Sequence, residues 1–150
     1  KWCLNSPCSL LLSNLIIKYM KKVKAIITGG KTQYGVWIEG ANIFSAGDTI
    51  TELKDNLKEA IALYIEEGGD IPEDMKGNYE ICYTFDTSGA LRYYSDFISF
   101  SALSRLSGVN NKQLWNYANG YRRPSEKTSK KIIEALRRFG NELYQIQISF

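Results

Sequence analysis

The sequence contains no histidine. That removes Ser-His-Asp and Cys-His nucleophile sites, histidine-ligated metals and a histidine general base. Cysteine is scarce: Cys3, Cys8 and Cys82 are the three in 150 residues, and no two have C-x-x-C spacing. Three thiols do not complete a four-ligand zinc site. An odd count without a framework reads as reduced thiols in a cytoplasmic chain. Proline also numbers only three. With 44% hydrophobic and 23% charged residues, the composition excludes disorder and collagen and fits one mid-sized domain or two small ones. No run is long enough for a bilayer, since the apolar stretch at residues 10–17 is broken by Ser13 and Asn14. It also lacks the charged n-region and A-x-A site of a signal peptide. Met20-Lys-Lys-Val-Lys reads as a natural start followed by a strand. Residues 1–19 are therefore expected to be a non-native upstream extension without a role, and no membrane partner is expected.

What is present is an uneven charge. Residues 1–19 carry +2. Residues 20–96 carry eight Lys/Arg against thirteen Asp/Glu, a net −5. Residues 97–150 carry nine Lys/Arg against Glu126, Glu134 and Glu142, a net +6, so that the whole returns +3. An acidic half before a basic half suggests two modules with different partners, the basic one suited to phosphates.

Residues 20–85 read as a β-β-β-α-β module. The runs 23–28 and 34–39 are β-branched or aromatic and are separated by Gly29-Gly30, which predicts a hairpin. Ile43-Phe44 opens a third strand that stops at Gly47-Asp48. Ile50, Leu53, Leu57, Ala60, Ile61, Tyr64 and Ile65 then recur at helical steps. Thr49 and Glu52 form a capping box, and Gly68-Gly69 ends the helix. Residues 78–85 alternate as a fourth strand. Gly29-Gly-Lys-Thr32 lacks the spaced first glycine of a P-loop. Asp48, Glu52, Asp55 and Glu59 are spaced along the helix, and paired carboxylates can bind metal. Their place at a helix amino terminus, where the dipole favours negative charge, accounts for them better.

Residues 86–150 read as helical. Asp86 caps a first helix, residues 101–107 form a second and residues 111–118 a third. Ser125 caps a fourth, with Ile132, Ile133, Leu136, Phe139 and Leu143 on its apolar face. The middle pair has the spacing of a helix-turn-helix: a small residue at Ser104, the turn at Gly108, and Val109, Leu114 and Tyr117 at the inward positions. Alanine is more usual in the place of Ser104. Asn111, Lys112, Gln113, Asn116 and Asn119 are then left on the outer face. Amides bond adenine edges in pairs, and lysine bonds guanine or phosphate. Arg122 and Arg123, after the helix, are placed for backbone phosphates. Trp115 has two readings, packing on the fourth helix or meeting a thymine methyl, and packing is the one expected.

Over residues 20–150 the chain resembles the HicB family of bacterial antitoxins. Three stretches carry the likeness. The first is the strand pair followed by Gly47-Asp-Thr-Ile-Thr-Glu-Leu-Lys-Asp-Asn-Leu-Lys-Glu-Ala-Ile61. The second is Lys76-Gly-Asn-Tyr-Glu-Ile81. The third is residues 100–120 with Arg122-Arg-Pro-Ser125, similar to the Cro/repressor-type helix-turn-helix of one family branch. The resemblance implies an α+β chain in two parts. Residues 20–85 would be a reduced ribonuclease-H-like module without catalytic acids, which binds and blocks a HicA-type, messenger-RNA-cleaving toxin. Residues 86–150 would be a helix-turn-helix domain that binds operator DNA, usually as a homodimer or higher even oligomer. It implies no enzymatic activity and no cofactor. The family often shows P-D-x-x-G-C after the second strand; here that place reads Ile38-Glu-Gly-Ala-Asn-Ile43. Two rival readings follow from the residues themselves: an orphan transcription regulator without a toxin, and a metal-dependent ribonuclease using Asp48, Glu52 and Asp55.

Overall fold

Alternation along the first strand sets the architecture. In β1 (Lys21–Gly29), Val23, Ala25 and Ile27 are buried, while Lys22 and Lys24 point to the opposite face. The computed structural model describes residues 20–149, so the reading of residues 1–19 lies outside the described residues. β2 (Tyr34–Ile38) runs antiparallel to β1, and β3 (Phe44–Gly47) antiparallel to β2. β4 (Tyr79–Phe85) lies parallel to β1 on its other side, giving the order β3-β2-β1-β4. A hairpin cannot join parallel neighbours, so the chain crosses between them through a helix. That helix, α1 (Ile50–Glu66), buries Leu53, Leu57 and Ile61 against Val36, Ile38 and the buried side of β1.

The helix ends are made locally. Thr49 Oγ1 accepts the Glu52 N–H at 3.1 Å. The Glu52 carboxylate accepts the Asp48 N–H at 3.0 Å, one residue earlier than the expected box. At the other end Gly68 takes φ +77°, and the N–H groups of Gly68 and Gly69 bond Ile65 O and Tyr64 O. Thr49→Ala leaves a helix donor without its partner and is expected to lower stability by about 1 kcal/mol, read as a shift of the urea midpoint. A short 3-10 turn, Glu73–Met75, was not anticipated; it tucks Met75 into the sheet core.

Four more helices follow: α2 (Thr87–Tyr94), α3 (Phe100–Ser107), α4 (Asn111–Ala118) and α5 (Glu126–Gln145). The described chain is thus α+β, a four-stranded mixed sheet with five α-helices. Leu91, Leu103, Leu114 and Ile132 form the centre of a second core. The fourth sequence-predicted helix buries less of its stripe than expected. Ile132 and Ala135 are its buried residues, Ile133, Leu136 and Phe139 are half-buried, and Leu143 is exposed. The reason is geometric: α5 outruns the short helices beneath it.

α2 joins the two cores. Asp86 caps it through the Gly89 N–H at 2.7 Å and accepts the Thr28 hydroxyl, also at 2.7 Å. The Ser88 hydroxyl donates to Tyr117 O of α4 at 2.5 Å, and Gly29 O of β1 lies 3.2 Å away. Arg92 donates to Gly30 O at 2.6 Å and to Thr32 O at 2.8 Å, with its guanidinium 5.0 Å from the centre of the Tyr34 ring.

Candidate functional site

The segment from α3 to α4 satisfies its own backbone. Ser99 Oγ accepts the Ala102 N–H, and Asn110 Oδ1 accepts the Lys112 N–H at 2.9 Å. Between the helices Gly108 adopts φ +70°, which only glycine enters cheaply, and its N–H bonds Ser104 O at 2.8 Å. The Val109 N–H finds Ser107 Oγ. Val109 and Leu114 are buried over Leu103 and Ile132, while Tyr117 and Ser104 are half-buried. The turn's backbone is thus bonded locally, and Val109 anchors it to the core.

The seven residues predicted as contacts fall into three groups. Asn111, Lys112 and Gln113 share the exposed first turn of α4, with Asn111 Nδ2 donating to Ser101 Oγ at 3.0 Å. Asn116 and Asn119 are half-buried; Asn119 is the α4 C-cap and its amide folds back onto Trp115 O at 2.8 Å. Arg122 and Arg123 are exposed beyond the helix. They border a hollow of about 480 Å³ whose far wall is Ile26 and Trp37 on the uncovered face of the sheet. The first turn of α4 and the arginine pair therefore flank the helix at opposite ends.

Trp115 departs from its expected place. It does not pack on α5 but stacks on Tyr121, with ring centres 5.4 Å apart and planes 20° from parallel, and stays 47% exposed. Lys31 Nζ, from the β1–β2 turn, stands 6.0 Å from the Tyr121 ring centre. No sequence period relates residues 31, 115 and 121. They meet because Gly120, at φ +73°, lets the chain turn close to Gly29 O. Beside this stack a groove of about 680 Å³ runs to the amino terminus of α1, lined by Thr49, Arg92 and Phe100 among others.

Two of the acidic residues singled out for a metal have other employment. Glu52 caps α1, and Asp55 pairs with Lys58 at 2.9 Å. Among the described residues no three His, Cys, Asp or Glu side chains gather as metal ligands. Nor, among them, is any helix long and apolar enough to cross a membrane.

Two tyrosines carry a pH signature. Burial pushes the Tyr34 phenol above the ordinary tyrosine value, with Arg92 pulling the other way. Burial likewise raises Tyr83, against the pull of Lys58, and its buried hydroxyl has no hydrogen-bond partner among the described residues. Both phenols stay protonated in the folded chain at a pH where the unfolded chain already ionises. Their contribution is complete below about pH 10 and is lost as pH rises through the raised values. The urea midpoint should fall on that alkaline side, and Tyr34→Phe with Tyr83→Phe should flatten the fall.

No protein-family model matches the chain, and no curated protein sequence matches it significantly.

Proposed function

We propose that the chain is a non-enzymatic antitoxin and repressor of the HicB kind, with α3 and α4 as its helix-turn-helix. The observation that carries the DNA reading is the α3–α4 pair. Its turn is internally satisfied, and it presents Asn111, Lys112 and Gln113 outward from a segment of net charge +6. Such a turn enters a major groove and reads base edges, while Arg122 and Arg123 hold phosphates. The antiparallel β1-β2-β3 meander, crossing through α1 to a β4 parallel with β1, supports the reading of a reduced ribonuclease-H-like module. Its net negative charge suits a basic, RNA-cutting toxin, because complementary charge speeds encounter.

The DNA contacts divide by role. Arg122→Ala should weaken binding to every duplex and reduce the salt slope by about one phosphate contact, or ~0.9 in log–log units. Gln113→Ala should leave that slope alone and relax base preference at one position by roughly 1–3 kcal/mol. Filter-binding or anisotropy titrations across salt concentrations read both. Identical, salt-insensitive behaviour of the two variants would refute the division.

The toxin half is tested by purifying the chain from its native host. One small basic partner is expected at equal stoichiometry. Alone, that partner should cut RNA; with an equal amount of this chain it should fall silent. A chain that returns by itself, or only with DNA, is the orphan regulator. The loop Ile38-Glu-Gly-Ala-Asn-Ile43, which departs from the family stretch, favours that second reading.

A further inference from the structure

α1 covers one face of the sheet, and the other face carries a row of side chains open to solvent. In that row Phe44, Trp37, Ile26 and Thr84 stand side by side across the four strands. Phe44 is 70% exposed and Trp37 36%. A sheet with one solvated face ordinarily sets polar side chains there. Two adjacent exposed rings on such a face are out of keeping with the fold's own needs.

The row borders the hollow of about 480 Å³ whose opposite wall holds Arg122 and Arg123. Among the described residues no salt bridge engages either arginine. The acid in the hollow is committed inward: Asp86 accepts the Gly89 N–H with one oxygen and the Thr28 hydroxyl with the other. Beside Thr28 stands Gly35, in the interior of β2 on the same face as Trp37. Gly35 has no positive φ, and a Cβ there would meet only the Thr28 methyl, at 3.2 Å. Glycine inside a strand weakens it and often marks a place where a ligand comes close to the backbone.

We propose that this face binds a single strand of nucleic acid. Bases stack on Trp37 and Phe44, and Arg122 and Arg123 hold the phosphates beside the hollow. Neighbouring strands of a sheet stand about 4.8 Å apart, so the two rings serve successive bases of one chain. An unpaired base offers a π-face and carries a phosphate within reach, which matches exposed rings beside guanidinium groups. A duplex does not fit, because its bases stack on one another and cannot reach the rings. A basic protein does not fit either, because the arginines repel it. The surface stands on these observations alone. Only one consequence rests on the repressor reading: the same two arginines serve duplex phosphates there, so strand and operator compete for the chain.

Fluorescence anisotropy of the whole chain with a labelled strand of about 12 nucleotides, free of self-complementarity and made as RNA and as DNA, tests it. The wild type should bind at least one of the two with a Kd below roughly 100 µM at low salt. Trp37→Ala and Phe44→Ala should each raise that Kd about fivefold or more, and Trp37→Phe should keep most of the affinity. Arg122→Ala with Arg123→Ala should lower the log–log salt slope by about 1.4, two phosphate contacts on a single strand. Gln113→Ala should leave strand binding unchanged. Should Trp37→Ala fail to fold, Phe44→Ala decides, because that side chain already lies largely in solvent. Binding of neither strand, or binding untouched by both ring variants, overturns the proposal and leaves the face to a protein. Binding lost in Gln113→Ala also overturns it, by placing the strand on α4, and so does a salt slope that the arginine pair leaves unchanged. Duplex binding is measured on the same samples. A chain that holds the strand through these rings but binds no duplex keeps the sheet surface and removes the repressor reading; one that binds duplex alone does the reverse.

Discussion

Gly29→Val is expected to part the two cores. A Cβ at Gly29 would stand 2.5 Å from Ala118 O, 2.7 Å from Ser88 O and 2.8 Å from Ser88 Oγ. Two of those atoms are backbone, fixed by β1, α2 and α4, so a rotamer change cannot relieve the clash. The end of β1 must withdraw from α2 and α4, and the bond from Ser88 to Tyr117 O is strained with it. Overpacking of this kind costs about 1–3 kcal/mol, and the value here should lie at the upper end because backbone is struck. Denaturant unfolding should show the loss, and limited proteolysis should show new cleavage near residues 29–33 and 119–125. A variant within about 0.5 kcal/mol of wild type, with unchanged proteolysis, would mean that the contact is not made in solution.

Leu114→Ala should be as damaging to the helical half. Leu114 is fully buried, in one cluster with Leu103, Val109 and Ile132. Truncation removes transfer free energy and leaves a cavity that short helices close poorly, a loss of about 2–5 kcal/mol. Because the sheet core is a separate cluster of residues, methyl resonances of Val36 and Leu57 should persist at temperatures where those of Leu103 and Ile132 have broadened. The proposed DNA binding should vanish with the latter. A melting curve matching wild type would place Leu114 outside the core.

Much of this architecture is legible in the residues because local rules and tertiary packing agree. Val23, Ala25 and Ile27 alternate, and β1 alternates in burial. Leu53, Leu57 and Ile61 recur at helical steps, and they are the buried residues of α1. Thr49, Asp86 and Ser125 cap the helices that follow them. What escapes the sequence is what distant segments decide. β1 begins at Lys21 rather than Val23 because Lys21 pairs with Tyr79, 58 residues on. Ser88 reads as an ordinary first-turn serine and is one of the residues that bond the halves. Trp115 has the look of a core residue, but α5 passes elsewhere and Tyr121 takes its face.

The candidate contacts show the same division. Asn111, Lys112 and Gln113 are exposed where helical spacing puts them. Asn119 has that spacing too, but it falls at the helix end, where its amide folds back onto Trp115 O beside its own backbone N–H. Leu143 continues the apolar period of α5 after the helices beneath have ended, so periodicity alone counts it as core.

The most direct test of the central claim is selection of duplex DNA from a random pool by the full chain, followed by titration of the winner across salt concentrations. A two-fold symmetric site is expected, with half-sites about one helical turn apart. Affinity should fall steeply and linearly in log salt, and base preference should change when Gln113 is replaced. A pool that emerges without an enriched sequence, with weak binding indifferent to Gln113, would contradict it.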